Sequence, residues 1–239
     1  MRLRQITDSV AQKFNEGLRF LFVDLLKSKA FLDFHLHEYR SYEDYRAVQV
    51  YHNYRKLGRV WADPETLDLL AGTLRAQLGT GPIKGLCHGT RNGFEQNHLN
   101  DHHAEFEVIG TDISPSARDF PNSVEWDFHN VNPDWEGKFD FVYSNSLDQS
   151  WQPRAALAVW LGQVRPGGVL VIEYSEDQSP LAAGEMDPFG VRPVALPYVL
   201  ADWFGHEISV SFQQGYKANI KKPNWLFFIR RNIAAPAAV

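Results

Sequence analysis

Short apolar runs alternate with amphipathic or turn-forming stretches through the middle of this 239-residue chain. The runs at 83–87, 106–112, 123–128, 139–144 and 168–174 have the length and composition of buried strands. Helical or turn segments separate them, the clearest being a helix that follows Trp151-Gln152-Pro153 and ends near Val164. Alternation of this kind predicts a parallel sheet covered on both faces. Upstream, Asp63 is a good N-cap with Pro64 at the first helical position. This predicts a helix to about Gln77 with Leu67, Leu69, Leu70 and Leu74 as its apolar residues, stopped by Gly79-Thr80-Gly81-Pro82. Toward the end the pattern changes. A helix near 194–204 leads to strand-like segments at 206–212 and 225–230 joined by a polar link, which reads as an antiparallel hairpin. Five βα-type units and a hairpin make seven strands.

Residues 1–60 read as a helical extension rich in aromatics, among them Phe14, Phe20, Phe22, Phe31, Phe34, Tyr39, Tyr42, Tyr45, Tyr51 and Tyr54. Tyr45, Gln49 and His52 fall on one helix face. The main domain is expected over 61–232, and 233–239 reads as a loose tail. A net charge of −5 argues against a nucleic-acid-binding body. The single cysteine, Cys87, excludes an intramolecular disulfide and a thiolate zinc cluster. No apolar stretch is long enough to span a bilayer and no signal-like h-region is present, so a cytoplasmic location is expected.

The densest chemistry lies at Ile83-Lys84-Gly85-Leu86-Cys87-His88-Gly89-Thr90-Arg91-Asn92-Gly93, where an apolar run breaks into a glycine-bearing loop before a helix-like segment. Asp112 then ends the next apolar run. A loop that brings backbone N–H groups to a ligand, with an acid about 20 residues on, suits a nucleoside-containing cofactor.

These motifs together resemble the class I S-adenosylmethionine (SAM)-dependent methyltransferases over roughly residues 63–231. In the first motif, Gly85 stands at the acid position, and Cys87, Gly89 and Arg91 stand at the three glycine positions, so only the central glycine is kept. The second, Ile109-Gly110-Thr111-Asp112-Ile113-Ser114-Pro115, is closer. Val124-Glu125-Trp126-Asp127-Phe128, the run from Phe139 through Ser144-Asn145-Ser146-Leu147-Asp148, and Val164-Arg165-Pro166-Gly167-Gly168 followed by an apolar strand complete the set. The resemblance implies a Rossmann-like, doubly wound α/β sheet and SAM as cofactor. It would be held by Cys87, His88, Gly89, Thr90, Arg91, Asp112, Ile113, Asp127, Phe128, Ser144 and Asn145. Asp112 would take the ribose diol, Asp127 the adenine amine, and the Phe128 backbone the adenine ring.

On this reading the acceptor is a small molecule or saccharide, methylated on oxygen. Asp148 is the first candidate for a general base and His88 the second. Tyr42, Tyr45, Gln49 and His52, with residues 176–192, are the expected acceptor lid. Asp148 also reads as a cap, Cys87 as a buried hydrophobe and His88 as a hydrogen-bonded loop residue. His98, Asp101, His102 and His103 have metal-compatible spacing but read as solvated surface, as do His35 and His37, and no metal is expected. Two rivals stay open: a nucleotide-dependent Rossmann oxidoreductase and a non-catalytic protein of the methyltransferase fold. The chain lacks the dinucleotide glycine triplet and any Tyr-x-x-x-Lys pair, which disfavours the first. The oligomeric state stays open.

Overall fold

The structure is a computed structural model and describes residues 33–79 and 81–232. The expected helix at 1–32, with its four phenylalanines Phe14, Phe20, Phe22 and Phe31, and the tail at 233–239 lie outside the described residues. Among the described residues, nine strands form two sheets: β1 (Phe34–Leu36), β2 (Ile83–His88), β3 (Phe106–Asp112), β4 (Ser123–Glu125), β5 (Phe139–Ser144), β6 (Val164–Tyr174), β7 (Phe189–Val191), β8 (Ile208–Lys217) and β9 (Lys222–Arg231). The helices are α1 (Tyr42–Lys56), α2 (Pro64–Leu78), α3 (Phe94–His102), α4 (Pro153–Gln163) and α5 (Leu196–Phe204).

The main sheet has seven strands in the order β4-β3-β2-β5-β6-β9-β8. The first five are parallel to their neighbours, β9 runs antiparallel to β6, and β8 pairs antiparallel with β9. The order reverses at β2, between β3 and β5, so the carboxyl ends of those strands open a crevice where this type of sheet binds ligands. Apolar layers cover both faces. One joins Leu67, Leu70 and Leu74 of α2 and Leu99 of α3 to Ile83, Cys87, Phe141 and Val171. The other joins Trp160 and Leu157 of α4 and Leu200 of α5 to Leu86, Val142 and Ile172. Side chains one residue apart, Leu86 and Cys87, thus serve opposite layers, as the two-residue strand period requires.

Local signals account for the helix boundaries. The Asp63 carboxylate caps α2 by accepting from the Thr66 N–H, and Pro64 begins the helix. Ser41 caps α1 in the same way through Asp44 N–H, with Glu43 and Asp44 in the first turn and Arg55 and Lys56 in the last, matching the helix dipole.

Two departures from the sequence reading matter for the site. The run at 123–128 is a strand only to Glu125. The chain then turns, with Asn130 N–H donating to the Asp127 carbonyl and His129 N–H to the Asp127 carboxylate. The extension is also not wholly helical. Residues 34–36 pair antiparallel with 189–191, and Phe34 packs on Phe189 and Trp203. This two-stranded sheet ties the extension to the segment before α5.

Candidate active site

Two carboxylates follow the strand ends; Asp112 lines the crevice, and Asp127 lines neither cleft. Asp112 closes β3. Its Oδ1 accepts from Asn53 Nδ2 at 2.8 Å and Ser114 N–H at 2.9 Å, and its Oδ2 accepts from Arg91 N–H at 2.9 Å. Burial pushes its carboxyl up, and these donors offset part of that. Asp127 follows β4. Burial pushes it up too, but the His129 ring and N–H and the Tyr42 hydroxyl more than compensate and hold it below the usual carboxylate range. The His129 Nδ1 and the Tyr42 hydroxyl lie 2.7 and 2.8 Å from its two oxygens.

The loop after β2 keeps its shape although its sequence departs from the family pattern. Gly89 has φ +74°, and a side chain there would meet the Ser146 Cβ at 2.6 Å, so this glycine is required. Arg91 stands where a glycine is usual and still adopts φ +47°, a conformation that costs about 1 kcal/mol or more for a non-glycine residue. At Gly85, where an acid is usual, the Phe141 ring covers the backbone: a Cβ would lie 2.2 Å from it.

Two adjoining clefts flank this loop. The first is lined by Gly89, Arg91, Asp112, Ile113 and Phe128 on the sheet side, and by Tyr45, Gln49, His52 and Asn53 of α1 opposite. The second includes Thr90, Asn92, Glu95, Asn145, Ser146 and Asp148, with Lys56, Arg59 and Arg91 among its lining. Met186 and Asp187 line both. Helix α1 and the segment carrying Met186 are joined across the crevice by Gln49 Nε2 donating to the Met186 carbonyl at 3.0 Å.

The second cleft concentrates buried acid. Asp148 is half-buried as a residue, yet its Oδ1 is shut from solvent and has no hydrogen-bond partner. Burial and then the Asp187 carboxylate push its carboxyl up to about 8. Burial likewise pushes Glu95 up to about 7; Asn145 Nδ2 donates to its Oε1, and its Oε2 has no donor. Asp187 is itself raised, by burial, with Lys56 opposing the shift.

The sequence-predicted residues separate into two groups. Gly89, Thr90, Arg91, Asp112, Ile113, Phe128, Asn145 and Asp148 line the clefts, as do Tyr45, Gln49 and His52. Cys87 does not; it is buried in the layer under α2, and burial raises its thiol far above the ordinary range. His88 is buried against Trp160 on the other layer. Its Nδ1 meets the Thr111 hydroxyl at 2.7 Å and its Nε2 the side-chain Oε1 of Gln163 at 2.8 Å, while burial pushes its pKa down to about 4. Neither nitrogen is left for a ligand. Ser144 supports the loop from beneath, donating to the His88 carbonyl. Asn53, Tyr42 as partner of Asp127, His129 and Glu95 went unrecognised as parts of the site in the sequence, and Asp187 was covered only as part of the expected lid segment 176–192. For Asn53 the signal was present, since it follows Gln49 by four residues on the same helix.

No family model matches the chain, and no curated protein matches it. The fold is nevertheless that of the class I SAM-dependent methyltransferases. Over 82% of this chain and 92% of the other, it superposes on the 1,6-didemethyltoxoflavin N1-methyltransferase of Burkholderia thailandensis, solved with 1,6-didemethyltoxoflavin and S-adenosylhomocysteine (TM-score 0.62, 16% identity). The magnesium protoporphyrin IX methyltransferase of Synechocystis PCC 6803, solved with SAM, matches over 81% of this chain and 100% of its own (TM-score 0.54, 15% identity). The cyclase SpnF matches over 70% and 81% (TM-score 0.50, 12% identity). At such identities the likeness establishes the fold; the chemistry has to be argued from the site.

Proposed function

We propose that this protein is a SAM-dependent methyltransferase acting on a hydroxyl of a small-molecule or saccharide acceptor. The observation that carries the proposal is the convergence of Asp112, Phe128 and the Gly89–Arg91 loop on one crevice at the sheet's switch point. The residues fit the cofactor. Asp112 and Asn53 offer an acceptor and a donor to a ribose diol, and the Phe128 ring offers a face to adenine. In the second cleft, the donorless Oε2 of Glu95 stands with Lys56, Arg59 and Arg91, a set suited to an amino-acid end bearing ammonium and carboxylate together.

When bound, SAM supplies a methyl already activated as an electrophile. The chain's own work is then to align the acceptor, exclude water and receive a proton. Helix α1 and the Met186–Asp187 segment enclose the crevice and set its size, which supports a small acceptor. Asp148 is our candidate proton acceptor; with both ring nitrogens engaged, His88 is dropped from that role.

A specific observation favours a second reading. Asn53 and Tyr42 already occupy acceptor positions on Asp112 and Asp127, and the first motif is altered, as in a protein that keeps the fold without methyl transfer. A thermal-shift panel separates these. SAM or S-adenosylhomocysteine at one hundred times Kd should stabilise the folded protein by about 2.7 kcal/mol, several degrees for a chain of this size. Stabilisation by NAD(P) alone would transfer the site to the oxidoreductases, and no response to any of these ligands would favour the second reading.

A further inference from the structure

The structure revises one reading of the sequence at the helix that follows the Gly89–Arg91 loop. His98 is not solvated surface. Its side chain is 7% exposed, stacked on His102 with ring centroids 4.3 Å apart and packed beside Phe94. Its Nε2 points at Oδ1 of Asp68, 2.8 Å away. His103, at the end of α3, brings its own Nε2 to the same oxygen at 3.1 Å. One ligand atom from each of Asp68, His98 and His103 lies within 4.8 Å of the others. The acid comes from α2 and the histidines from α3 and its C-cap, 30 and 35 residues further along, so only the packing of the two helices assembles the group.

We propose that Asp68, His98 and His103 form a binding site for a divalent cation of the zinc class. Two imidazoles and one carboxylate match the ligand preference of zinc, and water completes the shell. Zinc bonds of about 2.0–2.1 Å in a tetrahedron place ligand atoms roughly 3.4 Å apart. The observed 2.8 and 3.1 Å therefore need to open by only a few tenths of an ångström. Asp68 is free to make that adjustment, with a side chain 53% exposed. His98 is the fixed member: its ring is stacked, and its carbonyl accepts from the His102 ring at 3.0 Å. A cation here would tie α2 to α3, the helix that begins where the Gly89–Arg91 loop ends.

One neighbour opposes the site. Arg75 Nη2 lies 3.1 Å from His103 Nδ1 and donates to it, which fixes the ring proton on Nε2. Metal binding at Nε2 requires the other tautomer, with the proton on Nδ1 and the Arg75 contact released. Arg75 retains a partner when it leaves, since its Nε pairs with Glu105 at 2.9 Å. Zinc and Arg75 thus compete for His103.

The test uses the full chain without a histidine tag, stripped with chelator and titrated with zinc against a competing indicator. Expected are one zinc per chain and a rise in melting temperature that magnesium does not reproduce. Asp68→Asn and His103→Ala should each weaken zinc at least tenfold, and Arg75→Gln should tighten it. Asp68 is exposed enough that its variant keeps the fold, which circular dichroism checks. Unchanged zinc affinity in folded Asp68→Asn, or no zinc bound by the wild-type chain, overturns the assignment. The readout is independent of SAM, so its failure leaves the methyltransferase reading where it stood.

Discussion

At Asp148, burial and the Asp187 carboxylate act in the same direction, and the consequence is a pH dependence with a definite sign. Its carboxyl is pushed from an ordinary 3.8 up to about 8, so the folded protein keeps a proton that the unfolded chain gives up. Stability owed to this group therefore falls as pH rises from about 4 to about 8 and levels off above that. Asp148→Asn should be more stable than wild type at pH 9 and equal to it near pH 4, as denaturant titrations at the two pH values would show. If Asp148 is the proton acceptor, kcat/KM should rise with pH through about 8, and Asp187→Asn should move that limb to lower pH. A limb that stays in place in Asp187→Asn argues that another group takes the proton. Asp112 is the other decisive residue. Asp112→Ala should weaken SAM by about 1.5–3 kcal/mol, the range for a hydrogen bond to a charged group. It should also cost stability, because Asn53, Ser114 and Arg91 lose their acceptor. Calorimetry that finds unchanged SAM affinity in the folded variant would remove the ribose assignment.

Among the elements, α1 joins the extension to the chemistry. One face presents Tyr42, Tyr45, Gln49, His52, Asn53 and Lys56 in helical spacing, but these do different things. Tyr45 is 2% exposed, stacks on Trp151 at 5.6 Å and donates to the Gln149 carbonyl, so its loss should be felt chiefly as instability. Gln49 and His52 line the crevice, and Gln49 also holds the Met186 segment. Gln49→Ala and His52→Ala should lower turnover more than they lower the melting temperature. Full turnover in a stable double variant would show that this face is packing, and would shift the acceptor site toward Asp148 and Asp187. Helical periodicity made this face readable in the sequence. The pairing of β1 with β7 was not readable, because two three-residue strands more than 150 positions apart carry no local pattern.

At the scale of the whole molecule, the C-terminal hairpin is locked to the parallel sheet by a buried charge. Lys217 Nζ lies 2.7 Å from Glu173 Oε1, with side chains 1% and 3% exposed. The Tyr143 hydroxyl donates to the other Glu173 oxygen at 2.5 Å, and the Lys217 ammonium also sits over the Trp61 ring at 4.7 Å. Three strands and the segment leading into α2 thus meet at one ion pair. Lys217→Met should destabilise by about 3–5 kcal/mol, because it strands a buried carboxylate. Adding Glu173→Gln should recover part of that loss. Equal unfolding midpoints for the wild type and Lys217→Met would mean that the pair holds nothing together.

The order of the main-sheet strands and of the helices from Pro64 onward, the caps of α2, and the position of Asp112 at the end of its strand were determined by the sequence alone. Each rests on a local rule: apolar period, capping chemistry, or the place where an apolar run stops. What only the tertiary structure decided is which side chains face one another. Cys87 and His88 stood inside the most suggestive motif, yet strand alternation turns them into opposite core layers, where burial leaves one an inert thiol and the other a neutral ring. Arg91 adopts a left-handed backbone conformation at a position where the resembled motif has glycine, which its side chain did not announce. The pairing of Asp148 with Asp187, of Asn53 with Asp112, and of Asp68 with two histidines joins residues 30 to almost 60 positions apart. Electrostatic shifts and ligand sets depend on distances of a few ångströms, and those distances exist only once the helices have packed on the sheet.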